Sequence, residues 1–397
     1  MLKCDVLVVG AGASGSTASL MLSKMGYNVI AIDKASRIGG FTNPKIDITE
    51  SELPDGSKLD PILKELQIKP LKIFNESVWH SRNESFTLKS DVYDFYFKRG
   101  PTKDSLDYQL MRIAINKGCD FWPKTEVVKF NFNNGNIEEV ILRSKRKNIL
   151  IKPKIVVAAD GSFSKCRKLA GIKELKSYCL EGFGARLKGK IFQETWVIFD
   201  SEFAPGAYIY GGSINNESFI GIVIDNQITR KSSKEYFNFN KKQNDFFRKF
   251  ENSKILNLFG GKGKYGIIEN LVKENLILVG SAGLLNDPFM GYGVNHAIFS
   301  GYKASNATID NLNNEEKLNK YENFYKENFL SYFKKAMKTR EIFKKLNNKD
   351  LDFIIRALSY ITEKNAEGLK TVIEVIKAKP TSLGALNILY MFSQFLS

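Results

Sequence analysis

Asp5-Val6-Leu7-Val8-Val9-Gly10-Ala11-Gly12-Ala13-Ser14-Gly15 is the stretch on which the fold turns. The continuous apolar run reads as a buried strand, and the residues after Gly15 read as a helix reaching Met25-Gly26. A second apolar run, Val29-Ile30-Ala31-Ile32, ends in Asp33, which completes a β-α-β pattern. In that context each glycine has a task. Gly10 permits the tight turn, Gly12 lets the backbone approach a pyrophosphate, and Gly15 brings helix and strand together. The helix start offers unpaired N–H groups and partial positive charge to phosphates. Asp33 follows Gly15 at close to the ~20-residue interval of the acid that binds an adenosine ribose, and an acid there disfavours a 2′-phosphate. A dinucleotide, FAD or NAD rather than NADP, is the expected ligand.

The rest of the 397 residues bounds what such a site serves. At ~100–200 residues per domain the length predicts two or three lobes. A hydrophobic fraction of 43% argues for a globular chain. Four cysteines, Cys4, Cys119, Cys166 and Cys179, lack C-x-x-C spacing, so neither a disulfide framework nor a zinc ribbon is indicated, and a cytoplasmic protein is expected. With two histidines, His80 and His296, no metal site is expected. No apolar run reaches the ~18–20 residues that span a bilayer. Lys and Arg total 59 against 43 Asp and Glu, a formal charge of +16, which points to anionic partners.

Further along, Leu106, Leu110, Ile113 and Ala114 form a helical stripe within 104–118, and Ile155–Ala159 reads as a strand running into Asp160-Gly161. Residues 178–265 alternate short β-type runs, predicting an antiparallel sheet. Leu276–Val279 is another buried strand before Gly280-Ser281-Ala282-Gly283, and from Tyr302 the chain reads as helical. The expected architecture is α/β. A discontinuous Rossmann-type domain takes 1–75, 100–175 and 265–310, an antiparallel-sheet substrate domain takes 76–99 and 176–264, and a helical region takes 311–397.

Ala159-Asp160-Gly161-x-x-Ser164-x-x-Arg167 and Gly280-Ser281-Ala282-x4-Asp287-Pro288-x-x-Gly291-x-Gly293 resemble the later signatures of p-hydroxybenzoate-hydroxylase-like flavoproteins. That resemblance implies FAD in the Rossmann domain, with the final Gly-x-Gly opening a helix beneath the isoalloxazine. Within the superfamily the chain is most similar to the geranylgeranyl reductases, including the archaeal digeranylgeranylglycerophospholipid reductases. The similarity rests on Gly10 to Ala18, Lys103-Asp104-Ser105-Leu106-Asp107, Ala158 to Gly161, and Asp287 to Val294 followed by Ser300-Gly301. It covers residues 1 to about 310 and implies FAD contacts from Gly10, Gly12, Ser14, Gly15, Asp33, Lys34, Gly39, Gly40, Lys103, Val127, Asp160, Gly161, Ser281, Asp287, Gly291, Gly293 and Val294. The chain departs from the family at four points. Ser281 stands where an Asp is usual, Lys103 where an Arg is usual, the Arg37–Thr42 loop has no Cys, and Gly211-Gly212 replaces a Phe-Pro.

The implied reaction is saturation of prenyl double bonds, in which hydride transfer to an unactivated alkene must be accompanied by proton delivery. With the loop Cys absent, Tyr208 and Tyr210, or an ordered water, are candidate donors; period-2 spacing puts both rings on one strand face, which suits a pocket wall or a sheet core. His296 reads either as an acid near the flavin or as an ordinary helix residue, and Cys166, between Lys165 and Arg167, as a reactive thiol or a structural one. No second glycine-rich β-α-β unit is present, so electrons would come from a docking nicotinamide nucleotide or a small acidic carrier. Lys334 to Lys349 is a basic stretch interleaved with Phe333, Met337, Ile342, Phe343 and Leu346, and Thr381–Ser397 carries no charge. That pairing suits an anionic membrane face reached by a peripheral enzyme, or a charged solvent face plus a packed terminal helix. Nucleic acid is not expected. The alternatives are a flavin monooxygenase acting on an aromatic or polyene substrate, and a non-enzymatic prenyl-lipid binder.

Overall fold

The computed structural model describes residues 2–364 apart from 41, 42, 249, 251 and 315; the uncharged stretch Thr381–Ser397 lies outside the described residues. The chain divides into two compact units, Met1–Lys72 with Asp94–Tyr178 and Gly263–Lys334, and Ile73–Tyr93 with Cys179–Lys262 and Lys335–Ser397.

The first unit is built on a largely parallel sheet with strand order Val272–Lys273, Leu276–Leu278, Lys147–Ala158, Leu2–Val9, Val29–Asp33, Asp120–Pro123. Leu2–Val9 is central: Val8 faces Val157 on one side and Ala31 on the other, both in parallel register. Its Val6, Leu7 and Val8 are fully buried, which is why the run is continuously apolar rather than alternating. The helix Ala13–Lys24 packs against two others, Leu106–Asn116 and Val294–Asn314. Ser105 caps the second by accepting a hydrogen bond from Tyr108 N at 3.2 Å. The long helix begins at Val294, directly after the Gly291-x-Gly293 motif expected to open it. A short antiparallel ladder pairs Lys45–Glu50 with the end of Ser85–Arg99, from Lys45 opposite Arg99 to Glu50 opposite Asp94.

The second unit is organised by the strands Thr195–Ile198, Tyr208–Ile214 and Glu217–Asp225 with Glu174–Lys188. These pairs are antiparallel, as the alternating runs predict, but Thr195–Ile198 also pairs with Lys72–His80 in parallel, Trp196 opposite Val78. Glycines on this sheet serve as seats for rings. A Cβ on Gly221 would lie 2.5 Å from the Tyr210 ring, and one on Gly211 would lie 2.4 Å from the Trp196 ring. Gly211 is therefore covered by the Trp196 indole from the neighbouring strand.

The basic stretch of the sequence is not uniformly a surface. Met337, Phe343 and Leu346 are buried, so its apolar residues serve the core. Arg340 is buried and pairs with the equally buried Asp225 at 3.3 Å, and Lys344 bonds Glu341 and Gln227. No helix among the described residues is long and apolar enough to cross a membrane.

Candidate cofactor site

The glycine-rich loop of the first unit is held from both sides. Gly10 N donates to Ile32 O at 2.8 Å, and Ala11 N donates to the Asp33 carboxylate at 2.8 Å, whose other oxygen accepts from Ala35 N at 2.7 Å. Asp33 thus fixes the loop at the end of its strand while leaving lone pairs for a ribose hydroxyl. Space separates the three glycines. A Cβ on Gly10, which has φ +108°, would sit 2.2 Å from Ala159 O, and one on Gly15 would sit 1.9 Å from Gly10 O. A Cβ on Gly12 would meet nothing within 4 Å. Gly10 and Gly15 are required by the fold; Gly12 borders open space at the helix start, where a pyrophosphate would approach.

The later motifs converge on this loop. Gly10 lies against Ala159 and Asp160, while Ser14 lies against both Gly280 and Gly301: a Cβ on Gly280 would be 2.7 Å from Ser14 Oγ, and one on Gly301 2.3 Å from Ser14 O. Ser300 Oγ accepts from Gly280 N at 2.8 Å. The Ser300-Gly301 pair therefore has a mechanical role: the serine ties the Gly280–Gly283 turn down and the glycine admits the first helix.

Asp160 accepts from Ser164 Oγ, Lys165 N and Cys166 N at 2.5, 2.8 and 3.0 Å, capping the short helix Lys165–Leu169. Arg167, whose role the sequence does not reveal, is buried and bonds Ser162 O, Ala282 O and Glu174, so it joins the Asp160-Gly161 loop to the Gly280–Gly283 turn. Ser281 Oγ donates to Asn286 Oδ1 at 2.9 Å. Buried Asp287 accepts from Phe289 N at 2.9 Å, Met290 N at 2.6 Å and the Tyr332 hydroxyl, and burial still pushes its carboxyl upward. Asp287 thereby shapes the turn through Gly291 and Gly293. Gly293 is confined by Asn286, whose Oδ1 would be 2.3 Å from a Cβ, and buried Val294 begins the helix. Asn295 Nδ2 is buried with no partner among the described residues.

The remaining candidates fall as follows. Gly39 packs on Gly100, 2.1 Å from its carbonyl to an added Cβ, while Gly40 faces open space. Lys34 and Lys103 are exposed. Val127 is buried on the strand Thr125–Asn133. Tyr208 and Tyr210 belong to the second unit, half-buried, their rings on one strand face with centroids 6.0 Å apart. Among the described residues no cluster of His, Cys, Asp or Glu could hold a metal ion.

Two reactive readings fail. Cys166 is buried beside Asp160, and both burial and that carboxylate raise its thiol rather than lower it. His296 is buried against Phe329 and Phe333, and burial pushes its imidazole down to about 3, so it is neutral at working pH. A group lowered from 6.5 to about 3 on folding binds its proton in the unfolded chain first, so stability is lost as pH falls through that window. His296→Phe is expected to remove this loss, on the order of 2 kcal/mol between pH 7 and pH 5; urea unfolding of the two proteins at both pH values checks it.

The first unit is thus a Rossmann dinucleotide fold completed by two later loops, the arrangement of FAD-dependent flavoproteins, and its open Gly12 and orphaned Asn295 amide fit that cofactor. A family model for NAD(P)-binding Rossmann-like domains matches residues 8–51. The chain is 26% identical to digeranylgeranylglycerophospholipid reductase 2 of Methanosphaera stadtmanae, over 98% of this chain and all of that one. It is 27% identical to the digeranylgeranylglycerophospholipid reductase of Methanocaldococcus jannaschii, over 96% of each. Among solved structures it is similar to a geranylgeranyl bacteriochlorophyll reductase-like protein from Thermoplasma acidophilum, with TM-score 0.78, 23% identity, and coverage of 95% of this chain and 98% of that one. It also shares its fold with p-nitrophenol 4-monooxygenase from Pseudomonas putida, with TM-score 0.72, 12% identity, and coverage of 94% and 98%. The family resemblance and the flavoprotein fold read from the sequence hold.

Proposed function

We propose that the chain is an FAD-dependent reductase that saturates prenyl double bonds of isoprenoid lipids or their precursors. The observation that carries this reading is the meeting of the later motifs on the Gly10–Gly15 loop, Ala159 and Asp160 at Gly10 and Gly280 at Ser14, in a chain similar over nearly its full length to reductases of digeranylgeranylglycerophospholipids. FAD bound there would, in its reduced form, supply hydride. The chain's own residues would do the rest: the Gly10–Gly15 loop and its helix start would bind the pyrophosphate, Asp33 would orient the ribose, and Gly293 and Val294 at the start of the long helix would offer backbone N–H groups to the flavin ring, whose reduced form is anionic, while Gly291, its N–H given to Asp287 O at 3.0 Å, would shape the turn before them. Lys34, Gly39, Gly40, Lys103, Val127, Asp160, Gly161, Ser281 and Asp287 complete the proposed cofactor set, the last four by shaping its loops. The second unit, with Tyr208 and Tyr210 on one strand face, would hold the prenyl chain.

Electrons are proposed to come from a nicotinamide nucleotide or a small acidic carrier, the latter drawn by the +16 charge. An anionic membrane surface is the proposed place of work. Mass spectrometry of geranylgeranyl lipids incubated with reductant is expected to show added hydrogen pairs. Hydroxylated product would select a monooxygenase instead, and a protein that takes up no FAD would indicate a lipid binder. Tyr208→Phe and Tyr210→Phe test the aromatic pair. A wall role leaves turnover within about threefold, whereas a proton-donor role costs at least ~100-fold.

A further inference from the structure

The reductase reading needs a seat for a long apolar chain, and one glycine of the second unit is not explained by the fold. Tyr208 of the strand Tyr208–Ile214 stands opposite Val223 of Glu217–Asp225, and Val223 stands opposite Gly182 of Glu174–Lys188. Antiparallel partners share a sheet face, so the three make one row, and each is half-buried. On the opposite face Ile209 and Ile222 are buried in the core. The next row on the Tyr208 face, Tyr210, Gly221 and Gly184, is closed by rings: a Cβ on Gly221 would lie 2.5 Å from the Tyr210 ring, and one on Gly184 would lie 2.5 Å from the Phe259 ring. A Cβ on Gly182 would meet only Ile222 O, at an ordinary 3.7 Å, and its φ lies outside the left-handed region. Glycine inside a strand costs stability, and where neither φ nor packing demands it, it marks a close approach by another molecule.

We propose that Gly182 is a specificity-determining residue: the prenyl chain crosses the sheet over it, in the space its absent side chain leaves beside Val223 and Tyr208.

The proposal rests on the reductase reading and gives its substrate a course. Beyond Tyr208 the row is filled, since the Tyr208 ring packs on Phe199 at 6.3 Å and Phe199 packs on Phe343 at 5.5 Å between centroids. Beyond Gly182 it is open. The neighbouring strand, Ile255–Ile268, is the edge of the sheet and passes Gly182 with Gly260 and Gly261, both exposed. A Cβ on Gly260 would be 3.0 Å from Gly182 O, and one on Gly261 would meet nothing within 4 Å. The same edge exposes Ile255, Leu256 and Leu258 between Lys254 and Lys262, the latter also bridged to Glu181 at 3.0 Å. An apolar run between two lysines matches a lipid whose isoprenoid chain carries an anionic head group. Four strands at ~4.8 Å spacing make a row roughly 14 Å long, and an extended isoprenoid unit of four carbon–carbon bonds is about 5 Å. A chain of four units is longer than the row, so it crosses Gly182 whichever end enters first. A leucine side chain at that crossing would occupy the space of the chain itself.

Binding, rather than turnover, is the first test. Gly182→Ala and Gly182→Leu are expected to keep the wild-type FAD content and to melt no lower than the wild type, because the added Cβ has room. Equilibrium binding of a radiolabelled geranylgeranyl glycerophospholipid to the FAD-loaded proteins is expected to weaken at least ~10-fold in Gly182→Leu, with Gly182→Ala in between. A second measurement does not depend on the bulky variant. In a Cys179→Ser background the other native cysteines are buried, so Gly182→Cys offers one accessible thiol to a maleimide. The same lipid is expected to slow its labelling at least ~10-fold, and glycerol phosphate, which lacks the chain, to leave it unchanged. A Gly182→Leu protein that binds the lipid as tightly as the wild type, or a thiol labelled equally fast with lipid bound, overturns the proposal. Lipid that shields the thiol yet is never reduced by the photoreduced protein would end the reductase reading and leave the seat standing. Lipid that is reduced while the thiol stays open would do the reverse, and a wild type that binds no prenyl lipid would end both.

Discussion

Gly12→Asp is expected to fold without flavin at least as stably as the wild type, and to retain no FAD. The two effects have separate causes at one position. Gly12 is the N-cap of the helix Ala13–Lys24, with extended backbone at φ −78° and ψ −176° that any residue adopts, and an added Cβ meets nothing within 4 Å. Asp is a better N-cap than Gly by a few tenths of a kcal/mol, and its charge suits the helix start. A pyrophosphate brought to the same N–H groups meets a like charge and lost space instead. Repulsion of several kcal/mol corresponds to at least ~100-fold weaker binding. Gly10→Ala is the contrasting control, because its φ of +108° and a Cβ 2.2 Å from Ala159 O strain the fold itself. Thermal unfolding of the FAD-free proteins and flavin absorbance after loading measure the two effects. An Asp variant that binds FAD normally would remove the pyrophosphate from this loop.

Arg340→Ala is expected to cost about 3–5 kcal/mol, although the residue stands in a lysine-rich stretch that reads as surface. Its guanidinium and the Asp225 carboxylate are both buried and 3.3 Å apart, so truncating one leaves the other charged and uncompensated. Lys338→Ala, an exposed neighbour on the same helix, is expected to stay within about 0.5 kcal/mol. Replacing both partners with apolar residues of similar size, Arg340→Met with Asp225→Leu, should recover most of the loss, since neither charge is then stranded. Denaturant unfolding of the four proteins checks the series. Equal, small effects at Arg340 and Lys338 would return the stretch to the solvent.

What the sequence discloses and what it hides differ by range. The β-α-β start is legible because its causes are local: a buried strand, glycines at fixed spacing and an acid at the next strand's end. Gly291-x-Gly293 and Asp160-Gly161 are legible as motifs, but not for what they do, since Asp160 caps a helix and Asp287 shapes a turn. Arg167 is visible in its motif, yet its partners Glu174 and Ala282 are named only by the fold. Gly182 looks like any strand glycine because only register sets it in a row with Val223 and Tyr208. The parallel pairing of Trp196 with Val78 is not legible, because Thr195–Ile198 is four residues long and buried at every position, and nothing local names the strand beside it. Arg340 is misread because helical spacing places charges on a face without saying which one meets Asp225.

The central claim is that this flavin site passes electrons to a prenyl double bond. Its most direct test is to photoreduce the FAD-loaded protein under argon, add a geranylgeranyl glycerophospholipid, and follow flavin absorbance. The account predicts return of the oxidised spectrum without oxygen, in step with saturation of the lipid. A flavin that stays reduced until air is admitted, with the lipid unchanged, would contradict it.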